Sequence, residues 1–259
     1  MSAPRARRLG MPLAAAAALL LATVHASTSP VRTRVEGPFG RGSSQVWLIR
    51  PGGPIRSVVV FGHGWKLHPP SAAHPWVGQF RPWLDHLAEQ GSAVVFPRYQ
   101  LGTGDSQGAE RAADYRRGVA LGLERLGRPA VPVIAVGYSY GASLAFSYAA
   151  DARSWSLPPP RAVDCIFPAG LVAGIALDPL PNSVRVLIQV GDRDTEAGQS
   201  GANAFWGLLG THPASRKRFE IVSSGNGLIA DHAAPKGADA AARRAFWAPL
   251  DTLVAAARS

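Results

Sequence analysis

The sequence predicts an α/β protein built on a mostly parallel, twisted sheet of about eight strands with helices on both faces, and three observations carry that expectation. Short β-like runs alternate with helical ones along nearly the whole chain, the pattern of strands joined by crossover helices. Several runs are continuously apolar, as in Val58-Val59-Val60-Phe61, which marks strands buried on both faces. One such run leads into Gly137-Tyr138-Ser139-Tyr140-Gly141 and then at once into a helical stretch. A strand that reverses this sharply into a helix holds its corner residue in a strained conformation. Flanking glycines relieve the crowding, and the corner hydroxyl is pushed out above the sheet.

The elements follow in order. Residues 31–36 and 45–50 read as an opening antiparallel pair, and 57–61 as the first fully buried strand. Residues 76–90 have helical spacing, and 92–96 form a strand that stops at Pro97. Residues 108–126 are amphipathic, with Arg and Glu on one side and Ala, Val and Leu on the other. The strand 132–136 enters the Ser139 corner, and 142–150 is its helix. Strands around Cys165 and over 184–190, a helix over 199–209 and a last strand over 217–223 complete the alternation. A final helix begins near Ala238 and is interrupted at Pro249. In such sheets the ligand site lies beyond the carboxyl ends of the strands.

Residues 1–26 read as a secretory signal peptide. Arg5, Arg7 and Arg8 precede an apolar run from 11 to 24, and Val24-His25-Ala26 offers small residues at a cleavage site. The run is shorter than the ~20 apolar residues of a membrane span, so stable membrane insertion is not expected. Removal leaves residues 27–259 as one catalytic-sized α/β domain, secreted or periplasmic, and three departing arginines lower the formal net charge from +10 to +7. The remaining positive charges are scattered and not gathered into an aromatic-laced stripe, which argues against nucleic-acid binding. Cys165 is the single cysteine, so no intramolecular disulfide forms; within an apolar strand it reads as a small core filler.

A serine hydroxyl is a weak nucleophile. It needs an imidazole to take its proton, and the imidazole needs a carboxylate to fix its tautomer. His232 follows the last strand and a glycine-bearing loop, where it can reach back over the sheet to Ser139. His68, His74, His86 and His212 read as surface or capping histidines, and His63 as a residue bonding its own loop. The turn Gly191-Asp192-Arg193-Asp194 ends a strongly apolar strand between serine and histidine. Asp194, further out in the turn, is the preferred acid. Asp192 is better placed to brace backbone amides, and Asp178 is a third candidate. Asp231 adjoins His232, but neighbouring side chains point apart. The oxyanion of an acyl transfer needs preorganised N–H donors. Tyr140, at the helix start, offers one, and Trp65 in Gly62-His63-Gly64-Trp65 is the candidate for the second.

These four segments, in the order loop, Ser139, acid, His232, resemble the α/β-hydrolase superfamily from about Val31 to the end of the chain. The resemblance implies an ester, thioester or amide hydrolase working through an acyl-enzyme, without metal or organic cofactor. It is specific for superfamily and nearly silent on substrate. Many relatives insert a lid between the strand after the elbow and the acid-bearing strand; here only residues 169–182 are available. An open surface around Ser139 is therefore expected, suited to large or surface-bound esters, with Trp65, Tyr138 and Tyr140 as an aromatic rim; the expected partner is a small-molecule or polymeric ester. Tyr138 packing beneath the elbow is the alternative. Trp76, Trp83, Trp206 and Trp247 read as core. The resulting expectation is a carboxylesterase; an acyltransferase or peptidase on the same fold, or an inactive binding module, are the rivals.

Overall fold

The computed structural model describes residues 33–65, 75–101 and 108–259. The expected leader, His68, His74 and the Trp76 side chain lie outside the described residues. The strands form one sheet in the order β1-β2-β4-β3-β5-β6-β7-β8. These are β1 Arg34–Phe39, β2 Val46–Arg50, β3 Ser57–Gly62, β4 Ser92–Pro97, β5 Val133–Tyr138, β6 Ala162–Ile166, β7 Arg185–Gly191 and β8 Lys217–Val222. The sheet is mixed: β1 pairs with β2 and β2 with β4 antiparallel, and every pairing from β4 through β8 is parallel. The first strand runs three residues later than its sequence suggests. Pro38 cannot donate to a ladder, and it is accommodated because β1 is an edge strand with a register shift between Glu36 and Phe39.

Helices cover both faces. The face of α1 Pro75–Glu89 and α6 Ala248–Arg258 buries Phe80, Trp83, Phe246, Trp247 and Leu250 against the sheet, with the Trp83 and Trp247 rings stacked at 5.9 Å. The other face carries α2 Gly108–Arg125, α3 Tyr140–Asp151 and α4 Ser200–Leu208, and buries Tyr115, Phe146, Tyr148 and Phe205. Cys165 is fully buried on this second face. Residues 169–182 cross from β6 to β7 without a helix or strand. No helix among the described residues is long and apolar enough to cross a membrane.

The carboxy-terminal helix is interrupted upstream of the proline. A short α5, Ala240–Ala242, runs into a π turn at Arg243–Trp247, and Pro249 sits in the first turn of α6, where its missing N–H is harmless. Pro249 leaves the carbonyl of Ala245 without its helical donor, and Gln189 of β7 supplies one at 2.9 Å. The kink is thus tied to the sheet.

Asp164 is the costly residue of the core. It lies in the middle of β6, fully buried on the face covered by α1 and α6, and neither carboxylate oxygen has a hydrogen-bond partner. Burial pushes its pKa well above the ordinary range, so the folded protein holds it neutral. Because the folded pKa is raised, stability from this group is complete below the unfolded value near ~3.9 and is lost as pH rises through the interval up to the folded pKa. Asp164→Asn should remove that dependence: urea unfolding across pH 4 to 8 is expected to show the variant gaining on wild type by about 1.4 kcal/mol per pH unit within that interval. Parallel stability curves for the two proteins would contradict the buried neutral acid.

Candidate active site

The site is assembled at the carboxyl ends of β3, β5, β7 and β8. At the end of β5, Ser139 adopts φ 57° and ψ −124°, a left-handed conformation costly for a residue with a Cβ. The surroundings hold it there. Its N–H donates to the Ile166 carbonyl at 2.8 Å, and its carbonyl accepts from Ala142 N at 2.9 Å. A Cβ on Gly137 would lie 2.1 Å from the Gly141 carbonyl oxygen, and one on Gly141 would lie 2.3 Å from the His63 carbonyl oxygen. No other residue fits at either position.

Three side chains of the sequence reading meet here. His232 Nε2 lies 3.0 Å from Ser139 Oγ, and His232 Nδ1 lies 2.9 Å from Asp194 Oδ2. Asp194, an acceptor only, fixes the ring proton on Nδ1 and leaves Nε2 to accept from the serine hydroxyl. The Asp194 carboxylate is itself held, its Oδ1 accepting the amides of Glu196 at 2.9 Å and Ala197 at 3.1 Å. Asp192 instead ties β7 to the loop after β8, accepting from the Ser224 amide at 2.8 Å and the Ser224 hydroxyl at 2.6 Å. These bonds hold its carboxyl below the usual range. Asp178 lies at the far end of α3, its amide donating to Asp151. Asp231 caps the turn after it through the amides of Ala233 and Ala234.

Tyr140 opens α3, so its N–H has no acceptor within the helix. Gly64 packs directly on the elbow: a Cβ there would lie 2.6 Å from the Tyr138 ring and 3.2 Å from Ser139 Cβ. This brings the next residue, half-buried Trp65, beside Tyr140, with ring centroids 5.6 Å apart. His63 is fully buried, its Nδ1 bonding the Gly64 carbonyl at 2.7 Å and its ring stacked on Tyr99 at 4.3 Å. Tyr99 in turn donates to the His63 carbonyl at 2.9 Å.

Two expectations are corrected. Tyr138 is 3% exposed and forms no rim: it packs beneath the elbow against Phe80 and His232. Ser139 is 8% and His232 7% exposed. His212 also differs, being buried with Nε2 bonded to the Val184 carbonyl at 2.8 Å, whereas His86 pairs with Asp251 at 2.9 Å on the surface side of α1. A cavity of about 970 Å³ lined by Arg153, Arg161, Arg185 and Arg216 opens at the amino ends of β6 and β7, away from Ser139.

Sequence reasoning missed two neighbours of the histidine, Glu196 and Phe167, and the bond that a third, Tyr138, makes to it. Glu196 Oε2 lies 3.9 Å from His232 Nε2. Phe167, at the end of β6 with φ 51°, packs its ring 6.2 Å from the imidazole. Tyr138 donates its hydroxyl to the His232 carbonyl. Burial, followed by the carboxylates of Glu196, Asp194 and Asp231, pushes the phenol pKa up, so it stays a donor. Only the position of Glu196, two residues past Asp194 in the same turn, was a signal in the sequence.

Removing the Tyr138 hydroxyl strands a buried carbonyl. Tyr138→Phe is expected to cost about 1 kcal/mol in urea unfolding. It should also slow modification of Ser139 by a fluorophosphonate, because His232 loses its backbone anchor. Unchanged stability and unchanged labelling rate together would show the bond to be incidental.

No protein-family model matches the sequence, and no curated protein matches it. Solved structures do match. Esterase B from Lactobacillus rhamnosis, solved with a tributyrin phosphonate, shares 14% identity at a TM-score of 0.65, over 88% of this chain and 87% of that one. The Pyrobaculum calidifontis esterase gives 17% identity and 0.65, over 87% and 86% of the two chains. Thermogutta terrifontis esterase 2, solved phosphoramylated by tabun, gives 18% and 0.61, over 86% and 94%. With the strand order, the mixed sheet and the strained serine corner, these likenesses identify the fold as that of the α/β-hydrolases.

Proposed function

We propose that the protein is a serine carboxylesterase, exported by its amino-terminal segment, that cleaves small-molecule esters through an acyl-enzyme on Ser139. The observation that carries this reading is the continuous chain Ser139 Oγ, His232 Nε2, His232 Nδ1, Asp194 Oδ2, with links of 3.0 and 2.9 Å. The esterase character of the matched structures supports it.

In this mechanism Ser139 Oγ attacks the acyl carbon as its proton passes to His232 Nε2. The carbonyl electron pair moves onto oxygen, which is received by the amides of Trp65 and Tyr140. Asp194 stays ionised and stabilises the imidazolium without taking its proton. Collapse of the intermediate breaks the bond to the alcohol oxygen, which takes the proton from Nε2 and leaves. Water then repeats the sequence: it gives a proton to His232, attacks the acyl-enzyme and releases the acid, and Ser139 Oγ recovers its proton.

The decisive experiment is labelling with a fluorophosphonate. Wild type is expected to label at one site, Ser139→Ala not at all, and absence of labelling of folded wild type would sink the proposal. Hydrolysis of nitrophenyl esters separates the three acids. Asp194→Asn should lower kcat by about 10⁴, as expected when an imidazole loses its tautomer control. Asp192→Asn and Asp178→Asn should retain most turnover. Export is checked by sequencing the amino terminus of the protein recovered outside the cytoplasm, with cleavage expected near Ala26.

A further inference from the structure

We infer that Arg111 forms a subsite for an anionic group carried by the acyl part of the substrate, an inference that rests on the esterase reading above. Arg111 lies in the first turn of α2 and is 7% exposed. Burying a guanidinium is expensive unless an anion accompanies it. Arg50, Arg81 and Arg117 each meet a carboxylate, yet none of the ion pairs among the described residues involves Arg111. What it meets instead is aromatic: its guanidinium carbon lies 3.8 Å from the centre of the Trp65 ring and 5.5 Å from that of Tyr140.

One side-chain polar atom of each member of this trio is unanswered. Arg111 Nε, Trp65 Nε1 and the Tyr140 hydroxyl are all buried without a hydrogen-bond partner. The guanidinium and the two rings form a triangle with no side longer than 5.6 Å. Two of the three atoms only donate, and the third donates readily. Three groups able to donate, one of them on a cation, are complementary to a carboxylate. That group accepts at four lone-pair positions and matches the planar face of arginine.

The location assigns the side of the substrate. Trp65 and Tyr140 are the two residues whose amides receive the acyl oxygen, so a cation lodged against their side chains lies along the acyl wall. On the other side the exposed carboxylate of Glu196 lies 3.9 Å from His232 Nε2, where the alcohol departs. An anion is therefore drawn to the acyl side and repelled from the alcohol side. The substrate class that fits is a half-ester of a dicarboxylic acid.

The test compares the nitrophenyl half-esters of succinate, glutarate and adipate with their neutral methyl-capped counterparts. Wild type is expected to show kcat/KM higher by about tenfold or more for the best half-ester than for its capped partner, a preference that shrinks with added salt. Arg111→Met, which keeps the apolar stem, should bring that ratio near unity, and Arg111→Lys should keep part of it. A wild type that hydrolyses both forms equally, or favours the capped one, overturns the subsite whether or not Arg111→Met folds. So does a folded Arg111→Met that loses both activities in proportion, which would make Arg111 only a brace for its two aromatic neighbours. Calorimetric binding of the same half-esters to Ser139→Ala, with and without Arg111→Met, reads the subsite without turnover. If neither ester is hydrolysed and no fluorophosphonate is taken up, the esterase reading fails by itself. Equal binding to the two Ser139→Ala proteins then overturns the anionic subsite as well.

Discussion

Everything at the carboxyl edge of the sheet depends on three stretches of backbone lying in contact without side chains between them. The end of β3 at Gly62, the end of β5 at Gly137 and the first turn of α3 at Gly141 approach so closely that a Cβ on any of them falls 2.1–2.9 Å from a backbone atom of another. That contact accompanies the reversal at Ser139 and holds the first turn of α3 against the end of β3. It also sets Gly64 against the elbow, which leaves the following Trp65 at the mouth of the site. A single methyl group at this junction would separate the elements that the proposed chemistry needs together, however well the rest of the sheet were packed.

The architecture was legible because its signals are local. β3, β4 and β5 carry continuous apolar runs, as a strand buried on both faces does. Ser139, His232 and Asp194 were legible for a related reason: each follows a strand, and the ends of parallel strands converge on one edge. Other features were hidden. Whether Tyr138 lined a rim or lay under the elbow turned on the side of the strand to which one residue points, and local composition does not carry that. Arg111 sits in an amphipathic helix where arginine is ordinarily a solvated face residue; only the folded chain shows it turned onto Trp65 and Tyr140. The interruption of the last helix was read at Pro249, whereas the π turn falls at Arg243–Trp247, and the bond that ties it to the sheet comes from Gln189, distant in sequence.

Two buried ionisable groups, Asp164 and Arg111, are handled in opposite ways. Asp164 sits among aromatic and aliphatic side chains with nothing to bond, and the low dielectric settles the matter by keeping its proton on. Arginine has no such escape, since its guanidinium does not give up its charge in proteins. Arg111 is accommodated by ring faces, whose quadrupoles offer a partial substitute for an anion. The acid is therefore quenched inside the core, while the base keeps its full charge beside the site. A charge kept beside a reactive serine is available to recognition in a way that a neutral acid under the sheet is not.

The hydroxyl of Tyr138 joins parts of the molecule of very different sturdiness. His232 rides on a loop after β8, a strand at the rim of the sheet with half-exposed side chains and a neighbour on one side only. Rim segments of this kind open first and most often. Tyr138 belongs to β5, whose six residues are all buried between β3 and β6. By gripping the histidine's own backbone, the phenol anchors a peripheral loop to the most protected strand beside the nucleophile. The imidazole thereby inherits the endurance of the middle of the sheet and escapes the fraying of its border.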